Sequence, residues 1–217
     1  MGTNQPLAFN EERQLHVDIM RAIARELHDI PMVLKGGTAL LLCYGLDRFS
    51  EDLDFDAPKK FNIAGRVEKI LSQKAKGHGI RTVKDTDTVQ RLKAHYTGLS
   101  SDRLLKIETS FRTPPTEEQS TVIDGIRTYS VRTLIAQKIN ALEHRTAARD
   151  LYDIAFLTRQ YAEKFSTESI QKLGELMADV DAVEQRFQEA FDEDEILDAS
   201  RLMEIIFQIT EFLNHQP

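Results

Sequence analysis

Hydrophobic and polar positions along the chain alternate between two periods, and the switch between them divides it. Leu15, Ile19, Ala22 and Ile23 recur at helical spacing behind Asn10, a residue type that caps helix starts, which predicts a helix over residues 10–28 stopped by Pro31. Residues 32–35 form a short apolar strand that runs straight into Gly36-Gly37-Thr38, and residues 39–44 read as a short buried helix. Residues 52–56 (Asp-Leu-Asp-Phe-Asp) alternate acidic and apolar side chains, the period of a half-buried strand. An amphipathic helix is predicted over 62–76, closed by Gly77 and Gly79. Strand-like runs follow at 80–84, 88–97 and 103–111, with a hairpin at 98–102, and Pro114-Pro115 marks a loop. From Thr133 onward the pattern is helical, over 133–145, 147–160, 167–178, 181–191 and 198–214.

This order predicts an α+β chain. A mixed sheet with flanking helices occupies residues 1–125, and a C-terminal helical domain contributing to the active-site cleft occupies 126–217, the join lying near 115–130.

Composition narrows the class. The 217 residues are 41% hydrophobic and 29% charged, with few Gly and Pro, which suits a globular chain and excludes disordered or collagen-like classes. No apolar run is long enough to span a membrane, and the polar residues 1–10 lack a charged-then-apolar leader, so the expected location is cytoplasmic. The single cysteine, Cys43, rules out an internal disulfide and a cysteine-based zinc site, and the six histidines are scattered. Charge is uneven. Residues 161–217 hold 14 Asp/Glu against 4 Lys/Arg, a net −10, whereas residues 1–160 are net +3. The first part is suited to nucleotide phosphates or an RNA backbone, and the acidic remainder reads as a solvated helical tail.

The candidate chemistry lies in Lys35-Gly36-Gly37-Thr38-Ala39-Leu40 and Arg48-Phe49-Ser50-Glu51-Asp52-Leu53-Asp54-Phe55. Glycines between a strand and a helix let a phosphate approach the backbone, the helix start offers free N–H groups, and Thr38 can add a hydroxyl. Asp52 and Asp54, two residues apart on a strand, put both carboxylates on one face. Adjacent carboxylates repel, so the pair calls for a cation, and magnesium takes oxygen ligands while keeping positions for substrate phosphates. Glu108, alternating with Leu105 and Ile107, is the candidate third acid; pattern alone weighs it evenly against a solvent-facing glutamate. Arg48 and Ser50 either position the pair or touch substrate. Lys138 lies at the edge of the Ile135, Ile139, Leu142 stripe, where a plain surface lysine is the simpler reading. Arg145 and Arg149 share a helix face, with Asp153 as a salt-bridge partner one turn from Arg149.

These strings resemble a family. Gly36-Gly37-Thr38 followed by Asp52-Leu53-Asp54 is similar to the signature of polymerase-β-like nucleotidyltransferases. The fuller string, with Gln137-Lys138, Arg145 and Arg149-Asp150-Leu151-Tyr152-Asp153 downstream, resembles the AbiEii/AbiGii-type toxin nucleotidyltransferases over about residues 32–157. The resemblance implies a polymerase-β-like fold and a toxin of a type IV toxin–antitoxin system. It implies a magnesium or manganese ion held by Asp52, Asp54 and Glu108, although the third acid is Glu where the wider superfamily commonly has Asp. Gly36, Gly37 and Thr38 would hold the nucleoside triphosphate, Lys138 would neutralise its charge, and Asp150 would be a further active-site residue. It also implies a separate antitoxin protein and an RNA acceptor, tRNA in particular. Transfer to a protein or small molecule, and a catalytically silent nucleotide-binding regulator, are the alternatives.

Overall fold

The computed structural model describes residues 9–216, so most of the polar N-terminal run read above for a leader lies outside the described residues. The chain divides into two compact units at Ser130/Val131.

In the first unit, α1 (Glu11–Glu26) starts at Asn10, whose side chain accepts a hydrogen bond from the Arg13 backbone N–H at 2.8 Å, and it carries Glu11 and Glu12 in its first turn, where the helix dipole favours acids. Its buried stripe is His16, Val17, Ile19, Met20, Ile23 and Ala24, with Leu15 and Ala22 only half-buried at the flanks. Then come β1 (Val33–Lys35), α2 (Gly36–Tyr44), β2 (Leu53–Asp56), α3 (Ala64–Lys74), β3 (Lys76–Asp85), β4 (Val89–Thr97), β5 (Asp102–Ser110), β6 (Ser120–Ile123) and β7 (Ile126–Tyr129).

The seven strands form one mixed sheet in the order β3-β4-β5-β2-β1-β7-β6. β2 runs parallel to β5 and β1 parallel to β7, and the other neighbours are antiparallel. Strand alternation separates its two faces. Leu53, Phe55, Leu92, Ala94, Tyr96, Leu105 and Ile107 are buried on one, while Asp54, Arg91, Lys93, Lys106 and Glu108 point the other way.

Gly77 and Gly79, expected to close a helix, lie inside β3, and two further features differ from the sequence expectation. The stretch read as a join holds the β6–β7 hairpin, which pairs Ile123 with Ile126 and keeps these residues in the first unit. Its turn is Asp124-Gly125, with φ of 49° and 78°, a conformation that suits a two-residue hairpin connection. The second difference is that α2 begins at Gly36, so both glycines belong to the helix's first turn.

The second unit is α4 (Val131–His144), α5 (Ala148–Gln160), α6 (Thr167–Leu176), α7 (Val180–Asp192) and α8 (Leu202–Asn214). α5 is its axis, buried at Ala148 and continuously from Asp150 to Thr158, with α4, α7 and α8 against it. Arg186 on α7 donates to the Leu142 and Arg145 carbonyls at 2.6 and 2.9 Å, satisfying the open end of α4. The acidic C-terminal helices are thus part of a packed unit. Val183, Phe187 and Phe191 of α7 and Leu202, Ile205, Ile206 and Ile209 of α8 are buried. Among the described residues, no helix is long and apolar enough to cross a membrane.

Candidate active site

β1 delivers the chain into α2 with no linker. Gly36 sits at φ +73°, a left-handed conformation that strains any residue with a Cβ, and a Cβ there would lie 3.9 Å from the Asp54 carboxylate. The start of α2 therefore lies beside the acid-bearing strand. Its N-cap, Lys35, makes no side-chain capping bond, so the first turn is not capped by its own N-cap side chain. Gly37 is small for another reason: the Arg48 Nη2 atom lies 2.6 Å from where a Cβ would be. Arg48 is buried and donates to its neighbour's carbonyl, on Phe49, at 3.0 Å, which gives it a framework role.

Thr38 departs from the expectation of a hydroxyl offered to phosphate. It is only 3% exposed; its Oγ1 donates to the Asp52 carbonyl at 2.5 Å and lies 2.7 Å from Ser50 Oγ. The hydroxyl ties the helix start to the backbone of the acid pair. His16 does the same from α1. Its Nε2 lies 2.8 Å from the Glu51 carbonyl, which can only accept, so Nε2 carries the proton and Nδ1 accepts from Tyr96 Oη at 2.5 Å. Burial pushes the His16 imidazole below its ordinary pKa.

Across the parallel β2–β5 pair, Asp54 is opposite Glu108, so the strand register brings together two acids that are far apart in sequence. Asp52, one step before β2, is reached by Lys106 Nζ at 2.5 Å, and Glu108 is reached by Arg91 through Nη2 at 2.5 Å and Nε at 2.7 Å. Burial pushes the Asp54 carboxyl up; Asp52 and Glu108 push it the same way, and Lys106 opposes them. Lys106 is shifted up: burial works against its charge, but the Asp52 hydrogen bond and the surrounding acids outweigh it. Asp56 lies off this cluster, buried and held by Lys35 Nζ at 2.6 Å and Tyr129 Oη at 2.9 Å. Among the described residues, no three acid, His or Cys side chains converge on a ready-made metal point. The acid set is composed of hard oxygen donors, with basic side chains lying against Asp52 and Glu108.

Sequence reasoning passed over Lys106, Arg91 and His16. Lys106 and Arg91 read only as the polar half of alternating strands, and His16 only as part of an amphipathic helix.

Within the second unit, Lys138 is 7% exposed, and its Nζ contacts Asp150 Oδ1 at 2.7 Å and Asp153 Oδ2 at 2.6 Å. Arg145 Nε takes the other Asp150 oxygen at 2.6 Å, and Arg149 reaches Asp194 at 2.8 Å. The sequence expectation had Lys138 meeting a triphosphate; here its ammonium is bound by two buried carboxylates. Burial raises the Asp150 carboxyl, but Lys138 and Arg145 outweigh it and hold it below the ordinary carboxylate value. The expected shared helix face does not form: Arg145 lies in the connection between α4 and α5 and Arg149 in the first turn of α5, and each has its own acid partner, while Asp153, expected on Arg149, is held by Lys138.

A family profile described as "Nucleotidyl transferase AbiEii toxin, Type IV TA system" matches residues 18–212. The chain is similar to the crystal structure of JHP933 from Helicobacter pylori, at 36% identity and a TM-score of 0.87, over 95% of this chain and 92% of that one. It is also similar to a second Helicobacter pylori structure, assigned as a nucleotidyltransferase, at 36% identity and a TM-score of 0.85 over 95% of each chain. No curated protein matches the chain.

Proposed function

This chain belongs to the AbiEii nucleotidyltransferase toxin family of type IV toxin–antitoxin systems, and from that premise we propose that its acid face transfers a nucleotide from a nucleoside triphosphate to an RNA acceptor, with tRNA the favoured class. The family implies the triphosphate substrate and an antitoxin partner. The observation that carries the assignment to this face is the pairing of Asp54 with Glu108 beside Gly36.

Asp52, Asp54 and Glu108 are the residues that would hold a divalent ion, magnesium or manganese. Their donor chemistry fits: three carboxylates on one face, one of them pushed toward protonation by burial and by the other two acids, favour a hard cation with oxygen ligands. Bound there, such an ion supplies Lewis-acid charge to the triphosphate. Backbone N–H groups at the start of α2, at Gly36, Gly37 and Thr38, would present positive partial charge to the phosphates, and Gly36, with no side chain, would leave room for close approach, while Gly37 makes room for Arg48. Thr38 and His16 hold the Asp52 and Glu51 carbonyls and so fix the acid loop before substrate arrives. The acceptor hydroxyl oxygen attacks the α-phosphorus, the bond to the β-phosphate breaks, and pyrophosphate leaves. The hydroxyl proton passes to a carboxylate of the acid set. Lys106 and Arg91 temper the charge on this face as substrate binds. On their mutual pairing, Lys138 and Asp150 hold the helical unit together, with an indirect influence on transfer.

The test is incubation of the protein with magnesium and each of four labelled nucleoside triphosphates, against separate pools of total RNA and protein, with Asp52→Ala as control. Label on RNA that vanishes in the variant supports the reading. Label on protein alone replaces the RNA acceptor with a protein one, and label on neither removes transfer from the account.

A further inference from the structure

The acid-bearing face of the sheet continues past Glu108 into a strip of positive charge. Cross-strand partners share a face, so the register writes out its rows. One row runs Asp54, Glu108, Arg91, Lys84 across β2, β5, β4 and β3. The adjacent row begins at Asp52, held by Lys106, and continues through Lys93 to Arg81. The inner ends of both rows are acidic, and everything beyond Lys106 and Arg91 is cationic. Arg81 and Lys84 are exposed, and Lys93 is half-exposed.

Two things about these outer cations call for an anion. Like charges directly opposite one another destabilise a ladder, yet Lys106 faces Lys93, Lys93 faces Arg81, and Arg91 faces Lys84. Moreover, Arg81, Lys84 and Lys93 have no carboxylate partner among the described residues, and Asp85, the acid of β3, is engaged by Lys60 at 2.8 Å. From β2 to β3 the strip crosses three strand spacings, about 14 Å. That length suits a run of phosphates better than a single small anion.

We infer that this strip, Arg81, Lys84 and Lys93 leading inward to Arg91 and Lys106, is the track on which a single-stranded RNA lays its backbone, its terminal hydroxyl directed at Asp52 and Asp54. The inference rests on the transfer reading of those acids and deepens it. A polyanionic track ending at the acids fits a nucleic-acid acceptor, which a small molecule or a neutral protein side chain would not require. The contacts go to phosphate and carry no base recognition, so binding along the track is tolerant of sequence.

The test is binding of a fluorescent single-stranded oligoribonucleotide to the full chain, without triphosphate, over a range of salt concentrations. The wild type is compared with Arg81→Gln/Lys84→Gln/Lys93→Gln and with each single variant. Each lost phosphate contact lowers the slope of log affinity against log salt by about 0.7, so the triple variant loses about 2 in slope and at least about tenfold in affinity at moderate salt, with the singles in between. Far-UV circular dichroism and melting temperature check that the variants fold. Wild-type affinity and slope in the triple variant overturn the inference and leave the cations as protection of an exposed edge strand. Absence of RNA binding by the wild type overturns it as well. So does displacement of the RNA by poly-glutamate at equal charge concentration, which assigns the strip to an acidic protein. Nucleotide labelling of the same RNA separates the two claims. RNA bound on the track but never labelled by the wild type sinks the transfer reading alone. RNA labelled equally by wild type and triple variant sinks the track alone.

Discussion

Asp54 and Glu108 stand opposite each other on the parallel strands β2 and β5, and partial burial, with the charges of Asp52 and Glu108, pushes the half-buried Asp54 carboxyl toward protonation against the pull of Lys106. An arrangement that costs folding energy without a cation is expected where a cation or a cationic transition state is to be stabilised. Asp54→Asn removes that repulsion. The account predicts a melting temperature no lower than wild type, together with a fall in transfer rate of more than about 10³-fold, read in single-turnover labelling. A variant that unfolds earlier and transfers normally would assign Asp54 to the framework.

Thr38 links the start of α2 to the acid loop. Thr38→Val leaves the Asp52 carbonyl and the Ser50 hydroxyl short of a partner, at a cost of about 1–3 kcal/mol in urea unfolding. Because the hydroxyl holds Asp52 and is buried away from phosphate, the variant loses kcat more than it raises the KM for triphosphate, and Thr38→Ser restores both. A change confined to KM would return Thr38 to direct phosphate contact.

His16 gives the fold a pH dependence. Its folded pKa lies below the ordinary 6.5 because burial disfavours the imidazolium. The unfolded chain therefore takes up the proton first as pH falls. The contribution of His16 is fully present above pH 6.5 and declines as pH drops through and below that value. Denaturant midpoints measured on both sides of this window should show the decline in the wild type and a flatter profile in His16→Gln.

The buried pairing of Lys138 with Asp150 and Asp153 predicts a large structural effect. Lys138→Met removes the ammonium shared by two buried carboxylates, of which Asp150 keeps Arg145, and costs about 3–5 kcal/mol in urea unfolding. The Asp150 contribution is present above the ordinary carboxylate pKa of 3.8 and is lost as pH falls through its depressed value. Unchanged stability in Lys138→Met, with triphosphate affinity reduced, would restore the lysine to a substrate role.

What could be read in the sequence follows from what is local. Gly36-Gly37-Thr38 and Asp52-Leu53-Asp54 are short strings whose spacing already implies a strand, a helix start and two carboxylates on one face. The alternation around Leu105 and Ile107 likewise put Glu108 on the polar side of a strand. That Asp54 and Glu108 are neighbours depends on the pairing of β2 with β5, strands separated by α3 and two other strands, and no local pattern encodes it. The same holds for Lys106 on Asp52 and Arg91 on Glu108. Thr38 turned inward because the half-buried Asp52 carbonyl needed a donor, a demand visible only once the loop is folded. The β6–β7 hairpin did leave a signal, Asp124-Gly125 between Thr121-Val122-Ile123 and Ile126-Arg127-Thr128, which the neighbouring Pro114-Pro115 loop overshadowed.

The most direct test of the central claim measures pyrophosphate release and RNA labelling together, in wild type, Asp54→Ala and Glu108→Gln, with magnesium present and then chelated. The account predicts that both products appear in the wild type with magnesium, disappear together on chelation and in Asp54→Ala, and fall steeply in Glu108→Gln, while all three proteins melt cooperatively. Wild-type labelling by a folded Asp54→Ala would contradict it.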